Sequence, residues 1–167
     1  TGRSPMGSLF ASGPSAQEVA DQMGRNVTLT AADLSQVPSL MAAVNDLSYQ
    51  LQNSKQQAVA KARTYAQSFT SIFGSDVPPS YIDLGHFVTL LKQTVKDPNV
   101  NAAADKVLQA IGNTVIAEKR GPDKPGATGV SIYFPNSQLY SSPVAGAPSY
   151  TALAERFAKG SLWDEFL

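Results

Sequence analysis

The sequence predicts a mainly α-helical α+β domain: a bundle of about five to seven helices with one or two short strands. Three observations carry this. Apolar residues recur at three- and four-residue intervals over residues 34–51, 82–95 and 100–116, which puts them on one stripe of a helix each time. The texture changes abruptly from Glu118, where Pro and Gly replace periodicity. Beyond that break, Val130-Ser131-Ile132-Tyr133-Phe134 is β-branched and aromatic between turn residues, the pattern of a strand.

The elements follow in order. Ser15-Ala16-Gln17-Glu18 offers a hydroxyl acceptor with Glu three residues on, a reciprocal cap that opens a short helix, with Val19 and Met23 at helical spacing and Gly24 as its stop. Leu34, Val37, Leu40, Met41, Val44, Leu47 and Leu51 form the strongest stripe, reaching to about Asn53. Pro38 would break a helix interior, so a separate turn over residues 33–37 is expected, with the regular helix starting near Pro38. The run from Ser54 to Gln67 consists of good helix formers with a thin seam of Val59, Ala62, Ala66 and Phe69, and Gly74, Pro78 and Pro79 end it. Asp83 caps a further helix through Leu84, Phe87, Leu90, Leu91 and Val95, with Ile82 placed to staple onto Phe87. Asp97-Pro98 stops it. A last long stripe runs from about Asn99 to Ile116, weakened at Gly112. Residues 118–126 read as a loop, 136–148 as an irregular connection and 150–158 as a short helix, and Trp163 to Leu167 is an apolar anchor. This divides the chain into residues 1–8, a tag remnant or processed N-terminus; 9–118, the helical bundle; 119–128, an exposed loop; and 129–167, a strand with terminal helices of the same domain.

Composition excludes much chemistry. Among 167 residues there is no cysteine and one histidine, His86. Thiolate metal sites, disulfides and a cysteine nucleophile are therefore absent, as is any Ser-His-Asp set not built on His86. Thirteen basic residues balance thirteen acidic ones, so no long-range field draws nucleic acid or anionic lipid, and neither is expected as a partner. The apolar runs fall short of the ~20 residues a bilayer span needs, so no membrane insertion is expected either. Charged residues make up 16%, below the ~25% usual for a soluble domain, which points to surface covered by another part of a larger protein.

The candidate chemical groups are few. His86 lies three residues after Asp83, on one helical face, a spacing that suits half a metal site or a base with its orienter. No second histidine completes it, and a hydrolase built on His86, Asp83 and a serine lacks a nucleophile elbow. The plainer reading is a capping Asp83 and a surface His86, and the same applies to Asp33, whose Asp-Leu-x-x-apolar-x-x-Leu segment echoes that of Asp83. Glycines 121, 126 and 129 lack a phosphate-loop pattern. Lys119, Arg120 and Lys124 form a small basic cluster where a protease would find accessible backbone. Asn26-Val27-Thr28 matches a glycosylation acceptor. No catalytic, cofactor-binding or metal-ligating residue is assigned, and no cofactor is expected.

Four segments in this order resemble one family. These are Leu9 to Ser12 with Ser15 to Ala20; Thr28-Leu29-Thr30-Ala31-Ala32-Asp33-Leu34-Ser35; Tyr81-Ile82-Asp83-Leu84-Gly85-His86-Phe87; and Gly129 to Pro135 followed by Tyr150, Phe157 and Trp163-Asp164-Glu165-Phe166-Leu167. Together they are similar to the part of clostripain-like cysteine peptidases that follows the catalytic region. The resemblance implies a parent with a caspase-like α/β catalytic domain, a His-Gly histidine, an Asp-x-Cys nucleophile and cleavage after Arg or Lys, secreted or held in the cell envelope. None of those catalytic motifs is present here, and His86 sits outside a His-Gly motif. The implied role is a non-catalytic C-terminal portion that packs on the catalytic domain or chain of the same peptidase, with Ile132, Phe134 and Trp163 expected near the seam. The alternative is a stand-alone helical interaction module.

Overall fold

The computed structural model describes residues 13, 15–22, 24–69, 78–144 and 146–167. The expected contribution of Met23 and most of the break at residues 74–80 lie outside these. Helix α1 (Ala16–Gln22) opens on the expected reciprocal cap, the Glu18 amide donating to Ser15 Oγ while the Ser15 amide donates to the Glu18 carboxylate. Strand β1 (Thr28–Ala32) leads to a 3-10 turn over Leu34–Gln36, and α2 (Val37–Leu51) follows. Pro38 thus falls in the first helical turn, where a missing N–H costs nothing, and the separate preceding turn is present as the proline required. Helix α3 (Gln56–Tyr65) buries Val59 and Ala62 and leaves its other face in water.

Strand β2 (Tyr81–Asp83) runs directly into α4 (Leu84–Thr94), and α5 (Pro98–Thr114) begins with Pro98 in its first turn and Asp97 as its cap. Helix α2 packs along α5, α5 along α4, and α4 along α3. Their stripes supply the core: Val44, Leu47, Leu51, Phe87, Val88, Leu91, Val100 and Val107 are all buried. Each such side chain contributes about 1.5–3 kcal/mol through removal from water.

Two expectations are corrected here. The long stripe does not continue to Ile116. Helix α5 stops at Thr114, and β3 (Val115–Arg120) takes over, so residues 118–120 are strand and the loop begins at Gly121. The reason is tertiary. Strand β1 pairs antiparallel with β3, Thr28 opposite Arg120 and Ala31 opposite Ala117, and this partner lies far away in sequence. Val115 and Ile116 are β-branched and fit either stripe or strand, so pairing decides between them. The second correction concerns the seam. Ile132 and Trp163 are buried in this chain's own core, Trp163 with no exposed area.

The second sheet pairs β2 with β4 (Ser131–Tyr133) antiparallel, Tyr81 opposite Tyr133 and Asp83 opposite Ser131. Ser68 adds an isolated bridge to Ile82. The connection at residues 136–148 contains a short turn of helix, α6 (Ser137–Tyr140), capped by Asn136. The expected helix over 150–158 is split into α7 (Ala147–Leu153) and α8 (Glu155–Gly160), and α9 (Trp163–Phe166) closes the described chain. Trp163 stands edge-on to Phe134 at 5.3 Å and to Phe87 at 6.3 Å, and its indole Nε1 donates to the Tyr133 carbonyl at 2.7 Å. Among the described residues no helix is long and apolar enough to cross a membrane.

Candidate functional site

The Asp83–His86 pair sits where β2 turns into α4. Asp83 is fully buried, and a carboxylate in that position needs hydrogen-bond donors to replace the water it gives up. It has them. Oδ1 accepts from the His86 amide at 2.9 Å and the Thr128 hydroxyl at 2.6 Å, and Oδ2 accepts from the Thr128 amide at 2.7 Å. Its own amide donates to the Gln67 carbonyl at 2.7 Å. The carboxylate therefore caps α4 and holds the end of the 121–130 loop, while the Asp83 backbone amide ties the segment after α3 to β2.

The His86 ring is not oriented by Asp83. Its Nδ1 accepts from the Gln67 amide at 2.9 Å, so the carboxylate contacts the His86 backbone while the imidazole serves a different element. A base with an orienter needs the carboxylate on the ring nitrogen, which this arrangement does not provide. Gly126 presses on the same Nδ1 edge of the ring: a Cβ there would come within 2.2 Å of Nδ1. Among the described residues no three His, Asp or Glu side chains converge on a point that would hold a metal ion. Asp33, the other half of the echo, likewise caps its turn, accepting from the Ser35 amide at 2.9 Å and hydroxyl at 2.7 Å. Those bonds, the hydroxyl first, hold its carboxyl below the usual carboxylate range.

The loop that carries the basic cluster is tied down rather than free. Arg25 forks onto the Asp123 carboxylate at 2.9–3.2 Å, the Gly121 amide donates to the Val27 carbonyl at 2.7 Å, and the Asp123 amide to the Arg25 carbonyl at 3.1 Å. Lys124 Nζ reaches the Ser68 carbonyl at 2.8 Å and lies over the Phe69 ring, Arg120 donates to the Ala127 carbonyl, and the Gly126 amide donates to the Gln67 side chain at 3.2 Å. Gly121 is required at its position because a Cβ would meet the Arg25 carbonyl oxygen at 2.1 Å. Lys119 and Arg120 belong to a paired strand, whose backbone cannot enter a protease cleft without first separating from β1. Brief digestion of the native protein with trypsin is therefore expected to leave the Lys119–Gly121 bonds intact, and Arg25→Ala to expose them. Primary cleavage of the unsubstituted protein at Arg120, read by intact mass, would contradict this.

One cleft lies against the second sheet and another lies beside α3. The first, of about 230 Å3, is lined by α2, the sheet and the terminal helices, with Tyr81, Tyr133 and Tyr150 among apolar side chains. The Tyr133 and Tyr150 rings stack at 4.3 Å, and Tyr81 meets Tyr133 edge-on at 5.6 Å. Burial, with Tyr81 and Tyr140 adding to it, pushes the Tyr133 hydroxyl up to about 12, so it is a neutral phenol and not a base at physiological pH.

The other cleft, of about 530 Å3, lies beside α3 and contains Arg63. Arg63 Nε and Nη2 donate to the Phe134 carbonyl at 3.0 and 2.9 Å, and Nη2 also to the Pro79 carbonyl at 2.9 Å. Neither Arg63 nor Thr128 is marked out by the sequence. Arg63 is one good helix former among several, and Thr128 follows a loop whose contacts depend on the assembled fold. The chain matches no family model, no curated protein and no solved structure.

Proposed function

We propose that this chain is the non-catalytic C-terminal portion of a clostripain-like cysteine peptidase, a helical buttress that stays associated with the catalytic domain or chain of the same protein. The observation that carries the reading is how the chain's only imidazole is used: His86 accepts a backbone amide through Nδ1, while Asp83 accepts from two amides and a hydroxyl. With no cysteine in the sequence, no thiolate is available for attack on a peptide bond. Cleavage after Arg or Lys would belong to the partner, and the pair would be secreted or held in the cell envelope.

Exposed apolar side chains support an attachment role. Leu34 and Ile116 flank the end of the β1–β3 ribbon at which the Asp33 amide meets the Thr114 carbonyl, and both are largely exposed. A two-stranded ribbon is marginal alone and gains from cover. The self-contained aromatic core around Trp163 favours the second reading, a stand-alone interaction module, because such a core needs no partner to close it.

Co-purification separates the two. The peptidase reading expects the native protein to bring with it a chain that carries His-Gly and Asp-x-Cys motifs, and the reunited pair to cleave arginyl and lysyl peptides. A native protein purified without such a chain, from a gene whose neighbouring coding sequence lacks both motifs, supports the stand-alone module instead.

A further inference from the structure

A half-buried arginine whose charge has no acidic partner is an unusual feature in a protein of balanced composition. Arg63 lies on the last turn of α3, with all three of its hydrogen bonds going to carbonyl oxygens of Phe134 and Pro79. Carbonyls satisfy N–H groups but do not neutralise a cation. Among the described residues no carboxylate pairs with Arg63, although five such pairs form elsewhere among them. Burial alone lowers the Arg63 pKa from its ordinary value, with no opposing carboxylate. A guanidinium has five N–H groups, and Nη1 has no hydrogen-bond partner among the described residues. The bonds to Phe134 and Pro79 fix the plane of the group, so its orientation is set before any ligand arrives.

The surroundings define what would fit. Among the described residues, Arg63 is the only charged side chain lining a cleft of about 530 Å3, within the size range of small-molecule sites. Phe134 and Phe166 provide apolar wall, and Ser137 and Tyr140 line the same cleft with hydroxyls, while the Thr64 hydroxyl is donated to the Ala60 carbonyl. With Nε and Nη2 already bonded to carbonyls, Nη1 offers the unused N–H groups beside a single positive charge, which matches a monoanion such as a carboxylate, whereas a phosphate dianion would call for a second cation that the described lining lacks.

We propose that the Arg63 cleft is a binding site for a carboxylate carried on an apolar body, either a free hydrophobic acid or the terminal carboxylate of a peptide ending in an apolar residue. The carboxylate pairs with the guanidinium and accepts from the hydroxyls, and the apolar body lies against the phenylalanine wall.

The test is calorimetric titration of the whole chain with 4-phenylbutyrate and with a short peptide ending in phenylalanine, each beside its neutral amide. The site requires at least one acid to bind tenfold or more tightly than its amide; the free acid and the peptide tell the two sources apart. Arg63→Met should abolish that difference. Because Arg63→Met also removes the bonds to Phe134 and Pro79, Ala60→Trp serves as a second variant. Ala60 is an exposed residue lining the cleft, so this change fills the site while leaving Arg63 in place, and it should weaken the acid tenfold or more. Equal binding of acid and amide, tighter binding of inorganic phosphate than of either acid, or no binding of either acid would each overturn the proposal.

Discussion

Replacing Asp83 by alanine is expected to be among the most damaging single changes in this chain, costing about 3 kcal/mol or more, because hydrogen bonds to a charged group contribute roughly 1.5–3 kcal/mol each and do not add fully. The substitution leaves the His86 amide, the Thr128 amide and the Thr128 hydroxyl without their acceptor in a partly buried region. It also removes the cap of α4, a loss of about 1 kcal/mol by itself. Asp83→Asn should cost less, about 2 kcal/mol, since the carboxamide oxygen replaces one acceptor while its NH2 group faces a donor. Urea unfolding checks this: the midpoint should fall for both variants, alanine further, with the slope little changed. A midpoint unmoved by Asp83→Ala would mean that the carboxylate does not lock α4 to the end of the 121–130 loop.

Trp163→Ala is expected to cost about 3–5 kcal/mol, the range for deleting a large aromatic side chain from a packed core. Trp163 has no exposed area and touches the rings of Phe87, Phe134 and Phe166. Its loss opens a hole between α4, the sheet and the last helix. Trp163→Phe keeps most of the packing but leaves the Tyr133 carbonyl without its 2.7 Å donor, for about 1 kcal/mol. The chain has one tryptophan, so circular dichroism must follow these variants, while emission from the unsubstituted protein should be that of an indole shielded from water. A Trp163→Ala protein as stable as the parent would return this residue to the inter-domain seam expected of it.

The elements legible in the sequence are those whose signals are local. The Ser15–Glu18 cap, Pro38 in the first turn of α2, and Asp33 and Asp83 as caps each rest on residues within four positions of one another. The echo between the two aspartate segments is likewise explained by capping, without a repeat. Strands β1 and β3 were illegible because their pairing spans most of the chain and because Val115 and Ile116 continue the helical stripe of α5 smoothly. Strand β2 was hidden by its position: Tyr81 to Asp83 are read first as the approach to a helix, and only Ser131 to Tyr133 opposite reveal them as paired.

The candidate site divides the same way. Asp83 as a cap was readable from spacing, but its bonds to Thr128 join residues 45 positions apart. Arg63 gains its meaning from the Phe134 carbonyl, 71 positions away. The 121–130 segment has the composition of a free loop, yet the Arg25–Asp123 fork and the Gly121 and Asp123 amide bonds hold it against the turn before β1. Composition reports what a segment cannot form by itself and does not show what the rest of the fold supplies.

The most direct test of the central claim, that this chain carries no catalytic group of its own, is hydrolysis of arginyl and lysyl nitroanilide peptides by the purified chain alone. Release of nitroaniline is expected to stay at the rate of buffer, with the unsubstituted protein and His86→Ala indistinguishable. Turnover above that background by the unsubstituted chain, lost in His86→Ala while the fold is retained by circular dichroism, would contradict the account.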